Sequence, residues 1–123
     1  STYGGNPLAC KIAMEALQVI KDEKLSDNSL KMGNILLDGL KDIYNENSNI
    51  VKTVRGRGLF CAMEIYNNDK VNAWDVCIKL KDNGLLAKPT HDNIIRFSPP
   101  LIINETQINN ALDIIRKTVK TFA

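Results

Sequence analysis

A chain of 123 residues is long enough for one compact domain, which hides roughly two-thirds of the surface its unfolded form exposes. Its composition, 44% hydrophobic and 24% charged, is that of a globular protein, and a net charge of +2 with both signs interspersed argues against a dedicated nucleic-acid or membrane surface. No apolar run approaches the roughly 20 residues that a membrane span requires.

The elements follow in chain order. Asn6 is a good N-cap and Pro7 suits a first helical position, so the first helix is expected over 7–23. Leu8, Ile12, Met14, Leu17 and their apolar neighbours cover roughly two-thirds of its circumference, so it needs cover on two sides, from another domain or another subunit. A second helix, over 26–45, buries Leu30, Gly33, Leu36, Leu37, Leu40, Ile43 and Tyr44, with Gly33 permitting a close neighbour. A strand over 51–55 is interrupted by Gly56-Arg57-Gly58. The next, over 59–66, alternates so that Leu59, Cys61, Met63 and Ile65 share one face. Asn67-Asn68-Asp69 reads as a turn. A third helix over 73–83 has Asn72 as cap and Gly84 as stop. Two short strands, 85–88 and 93–98, precede Pro99-Pro100, and a fourth helix starts after Asn104, a cap paired with Gln107. The order α, α, β, β, α, β, β, α predicts an α+β domain: a small, mostly antiparallel sheet with helices packed on one face.

Five groups of residues could carry chemistry, and each has a plainer reading. The hydroxyls of Ser1 and Thr2 beside Gly4-Gly5 suit a phosphate, and equally a plain cap and turn. Arg96 sits mid-strand between Ile95 and Phe97, pointing off the core face. It is either a clamp for a carboxylate or phosphate or a member of a surface ion pair. Arg55-Gly56-Arg57-Gly58 reads as a turn or bulge, with RNA binding as the minor alternative. His91 lies in a connection between strands and has no nucleophile pattern with it. Glu64 is a lone carboxylate whose ordinary reading is solvation. The cysteines, Cys10, Cys61 and Cys77, are odd in number and match no zinc spacing, so they read as buried thiols in a reducing compartment, with no metal site. The chain opens at Ser1 inside a motif, which suggests a piece of a longer polypeptide whose targeting segment is out of view. A cytoplasmic location is expected, with the mitochondrial matrix as alternative.

Three stretches together resemble one family. STYGGNPLAC resembles the motif that follows the catalytic lysine in class III pyridoxal-phosphate aminotransferases, and VRGRGLFCAMEI resembles their small-domain strand pair. DNGLLAKPTHDNIIRFSPPLII is similar to the C-terminal signature of the family's ornithine-using branch, where the acetylornithine- and 4-aminobutyrate-using branches usually differ. The resemblance implies the C-terminal small domain of a fold type I transferase over residues 25–123. Residues 1–24 would supply an interface motif and the connector helix from the large cofactor domain. It implies a homodimer with active sites at the subunit interface. Thr2 would reach the cofactor phosphate of the partner subunit, Ser1 would assist, and Arg96 would bind the substrate carboxylate.

The implied reaction moves the δ-amino group of ornithine to 2-oxoglutarate, giving glutamate semialdehyde and glutamate through pyridoxal 5'-phosphate. No catalytic residue is carried by this chain, since the family's lysine lies upstream of STYGGNP, so the chain alone is expected to be inactive. One departure is Asp92, where the family usually has a glycine after the histidine; it leaves that loop's backbone shape open. Another class III aminotransferase, or a non-catalytic α+β binding module, is the alternative.

Overall fold

The computed structural model describes residues 2–66 and 71–123; Ser1 and the turn expected at Asn67-Asn68-Asp69 lie outside the described residues. Helix α1 (Pro7–Asp22) starts where the sequence dictates. The Asn6 side-chain oxygen accepts the Ala9 N–H at 3.0 Å, and a proline in the first turn has no hydrogen bond to lose. Lys24, at φ 51°, reverses the chain into α2 (Leu25–Glu46).

Strands β1 (Val51–Arg57) and β2 (Phe60–Ile65) form an antiparallel hairpin. The interruption expected at 56–58 shrinks to a tight turn, in which Gly58 has φ 55°. Gly56 pairs with Cys61, and Arg57 with Phe60. A Cβ on Gly56 would stand 2.6 Å from the Cys61 sulfur, so this glycine serves close strand approach, not reversal.

Helix α3 (Ala73–Asp82) is capped by Asn72, whose oxygen accepts the Asp75 N–H at 2.9 Å. The strand expected over 85–88 is instead β3 (Lys88–Thr90). The Leu85 N–H still closes α3 by donating to the Leu80 carbonyl at 2.9 Å, and the first rung to β4 (Ile94–Phe97) is Lys88 opposite Arg96. Helix α4 (Glu105–Lys120) opens with the expected reciprocal cap. The Gln107 N–H donates to Asn104 Oδ1 at 2.9 Å, and the Asn104 N–H donates to Gln107 Oε1 at 3.1 Å.

The sheet order is β1-β2-β4-β3, with every neighbouring pair antiparallel. Pro89 is on edge strand β3, where no ladder N–H is needed from it. One face is buried: Cys61, Met63, Ile65, Ile95 and Phe97 meet a core that includes Leu36, Leu40, Ile43, Leu80, Ile108 and Ile115 from α2, α3 and α4. Each of these side chains other than Cys61 contributes roughly 1.5–3 kcal/mol by leaving water. The architecture is the α+β arrangement expected.

Gly33 does allow close approach, because a Cβ there would stand 2.2 Å from the Gly58 backbone. Leu30 leaves the expected buried stripe and is 61% exposed. Ser29 and Gly33, one turn apart, are the residues that face the hairpin, and Ser29 Oγ accepts the Leu59 N–H at 3.2 Å; Leu30 is therefore rotated away. Helix α1 packs against α2 and has no buried residue: Leu8, Ile12, Met14 and Leu17 are all exposed. For the same reason Cys10, expected to be a buried thiol, is exposed, whereas Cys61 and Cys77 are buried as expected.

Candidate functional site

Strand alternation fixes where Arg96 goes. Ile95 and Phe97 are buried against the helices, so Arg96 stands on the sheet's open face. Ala62 on β2 and Lys88 on β3 lie opposite it on either side. Its Nε is buried and has no hydrogen-bond partner, and its guanidinium carbon lies 5.9 Å from the Phe60 ring centroid. Thr90 Oγ1, on the same face of β3, is a second buried polar atom without a partner. No carboxylate pairs with Arg96 among the described residues, so the ion-pair alternative finds no partner among them.

The carboxylate on the same face of β2 is already engaged. Glu64 Oε1 takes Lys52 Nζ at 2.7 Å and the Asn93 amide at 3.2 Å, while Oε2 takes Arg55 at 3.3 Å. The hydrogen bond from Lys52 holds the Glu64 carboxyl below its ordinary range and raises the lysine in return. Glu64 is thus a hub, not the solvated residue expected. Lys52 and Arg55 on the preceding strand were the available signal, but the bulge between Val51 and Thr53 sets the register that brings them together.

The remaining candidates resolve more simply. In the Arg55-Gly56-Arg57-Gly58 segment the first arginine is spent on Glu64, and the second is exposed beside the hairpin turn. His91 is exposed in the β3–β4 connection, and no hydrogen bond joins it to a nucleophile or a carboxylate among the described residues. The left-handed residue of that loop is His91 itself, at φ 57°. The loop is tied down by its backbone: the Asp92 carbonyl accepts from Ala73 at 3.2 Å, and the Asn93 carbonyl accepts from Ile65 at 2.8 Å.

Thr2 is exposed ahead of α1, beyond a turn in which the Asn6 N–H donates to the Tyr3 carbonyl at 3.3 Å and Gly5 has φ 77°. An exposed hydroxyl followed by a left-handed glycine is chemically suited to a phosphate oxygen. No hydrogen bond joins Thr2 to Arg96, so the two grips expected from the sequence are not brought together by contacts within this chain. A hollow of about 470 Å³ lies beside the β3 edge, walled by apolar residues such as Leu86, Pro99 and Ile103, with Lys88 and Arg96 also at its lining. Burial raises both inner thiols, Cys77 to about 11, which leaves them protonated and inert at neutral pH. No cluster of three metal-binding side chains occurs among the described residues.

The family model Aminotransferase class-III matches residues 1–119, and the chain belongs to the class III aminotransferases. Among its relatives, the probable mitochondrial ornithine aminotransferase of Caenorhabditis elegans is 58% identical over all 123 residues. Among solved structures, the ornithine aminotransferase of Plasmodium yoelii superposes with a TM-score of 0.92 at 50% identity, covering 100% of this chain and 32% of its own. The acetylornithine aminotransferase of Elizabethkingia anophelis gives 0.91 at 48% identity, covering 98% and 30%. The chain spans 28% of the length of the nematode relative.

Proposed function

We propose that this chain is the C-terminal part of an ornithine δ-aminotransferase, which moves the δ-amino group of ornithine to 2-oxoglutarate and releases glutamate semialdehyde and glutamate. Arg96 carries the proposal. It is a cation on a rigid strand, with a buried unpartnered Nε, on a face whose Glu64 is already held by Lys52, Arg55 and Asn93. A guanidinium so placed keeps its donors for two oxygens of an incoming carboxylate.

In this reading residues 1–24 are the interface motif and connector helix, and residues 25–123 are the small domain. The exposed apolar flank of α1 supports that division, because it has the surface a second domain would cover. Class III aminotransferases depend on pyridoxal phosphate, which when bound supplies the electron sink for amino-group transfer. The Thr2 hydroxyl binds its phosphate across the interface of a homodimer, with Ser1 beside it. The lysine that holds the cofactor and moves the proton belongs to a segment outside these 123 residues, so the chain alone is inactive. The nematode relative is named as a mitochondrial enzyme, which favours the matrix over the cytoplasm as the compartment.

A second reading, acetylornithine as amino donor, is favoured by the 48% identity to the Elizabethkingia enzyme; rates with the two donors in the full-length protein separate them. The test of the main reading is Arg96→Ala in the full-length enzyme, followed by half-reaction kinetics. Loss of a charge-assisted pair worth roughly 1.5–3 kcal/mol slows the 2-oxoglutarate half by about tenfold to 150-fold and the ornithine half far less. Equal damage to both halves contradicts it.

A further inference from the structure

Phe60 is a large apolar side chain on the wrong side of the sheet. It is 62% exposed on the face that carries no helix, where it adds nothing to the core formed by Cys61, Met63 and Ile65. Its position relative to Arg96 follows from the register. Ala62 is directly opposite Arg96, and Phe60 lies two residues before Ala62 on the same face, so Phe60 and Arg96 are diagonal neighbours. Such diagonals lie within reach of an aromatic ring and a long side chain. Ala62 has only a methyl group, which leaves the guanidinium room to lean across β2. The other flank of Ala62 is Glu64, whose carboxylate is held by Lys52, Arg55 and Asn93. Arg96 therefore has an engaged acid on one diagonal and an aromatic ring on the other. Its guanidinium carbon lies 5.9 Å from the ring centroid, within cation–π range.

We propose that Phe60 is a positioning residue for Arg96: its ring supports the face of the guanidinium and leaves the in-plane N–H groups directed at the carboxylate of the oxoacid substrate. The inference rests on the reading of Arg96 as the carboxylate-binding group. A ring contact suits this role better than a carboxylate would. It restrains the arginine without occupying its donors and adds no charge that competes with the substrate. Phe60 therefore sets the KM for the oxoacid and leaves kcat and the amino-donor KM alone.

The experiment compares Phe60→Leu, Phe60→Tyr and Phe60→Trp in the full-length holoenzyme, with Arg96→Ala as reference and thermal melting as a control for folding. Expected is a rise of about two- to fivefold in the KM for 2-oxoglutarate with Phe60→Leu, at unchanged kcat and unchanged ornithine KM. The tyrosine and tryptophan variants keep the wild-type KM. In an Arg96→Ala background, Phe60→Leu adds no further effect. An unchanged KM in Phe60→Leu overturns the inference, and so does an equal rise in all three variants or a rise that persists without Arg96. If Arg96→Ala itself leaves the oxoacid KM unchanged, the carboxylate reading fails first and this inference with it. If Arg96→Ala abolishes oxoacid binding and Phe60→Leu does nothing, only the positioning role is lost.

Discussion

Glu64 shows how much one side chain organises on the open face. It joins β1, through Lys52 and Arg55, to the β3–β4 connection, through Asn93. Its carboxyl is held below the ordinary 4.5 by the Lys52 hydrogen bond, so folding favours its ionised form. A depressed carboxyl stabilises the fold above its unfolded value, and that contribution disappears as pH falls through the folded value. The Lys52 ammonium, raised above its ordinary 10.5, acts in the opposite sense: its share is present below the ordinary value and lost as pH climbs through the raised one. Melting of Glu64→Gln beside wild type should therefore show a gap near pH 6–8 that closes as pH falls below about 4.5. A gap that stays constant to pH 3 would show that the cluster's charge is irrelevant to folding. Of the residues at the candidate site, Arg96 was legible in the sequence because a period of two, set by Ile95 and Phe97, needs no knowledge of the partner strand. Glu64 and Phe60 were not, because what they touch depends on register, which alternation leaves free by steps of two.

At the scale of elements, α2 lies close over the β1–β2 turn. It depends on two glycines meeting, Gly33 and Gly58, with Ser29 supplying the hydrogen bond to Leu59. Gly33→Ala places a methyl carbon 2.2 Å from backbone that cannot rotate away, so helix and hairpin must separate. Overpacking of this kind costs about 1–3 kcal/mol, with a corresponding fall in melting temperature. A melting temperature equal to wild type would mean that the hairpin is not seated on α2. The helices were read well because caps and stops are local chemistry: Asn6-Pro7, Asn72 with Gly84, and Asn104 with Gln107 all act where the sequence placed them. The strands were read less well, for a physical reason. A strand ends where its partner ends, so β1 continues through Gly56 and Arg57 because Cys61 and Phe60 are there to pair, and β3 waits for Lys88 to reach Arg96.

For the whole molecule, the informative surface is the one with nothing on it. Helix α1 presents Leu8, Ile12, Met14 and Leu17 to solvent, and the chain spans under a third of its nematode relative. The sequence anticipated that flank, because a helix apolar around most of its circumference cannot be satisfied by one neighbour. Just ahead of it stands Thr2. In the full-length enzyme Thr2→Ala is expected to weaken pyridoxal phosphate retention by about tenfold to 150-fold, the value of one charge-assisted hydrogen bond, as measured by cofactor release on dialysis. Unchanged retention removes the phosphate role from this threonine without touching Arg96.

The proposed role of Arg96 is to hold a substrate carboxylate on the open face of the sheet. A crystal structure of the full-length enzyme with a dicarboxylate substrate analogue tests it most directly. Two carboxylate oxygens are expected within about 2.7–2.9 Å of the Arg96 guanidinium, with the Phe60 ring still beneath it. A carboxylate bound elsewhere, with Arg96 turned onto a protein acid, contradicts it.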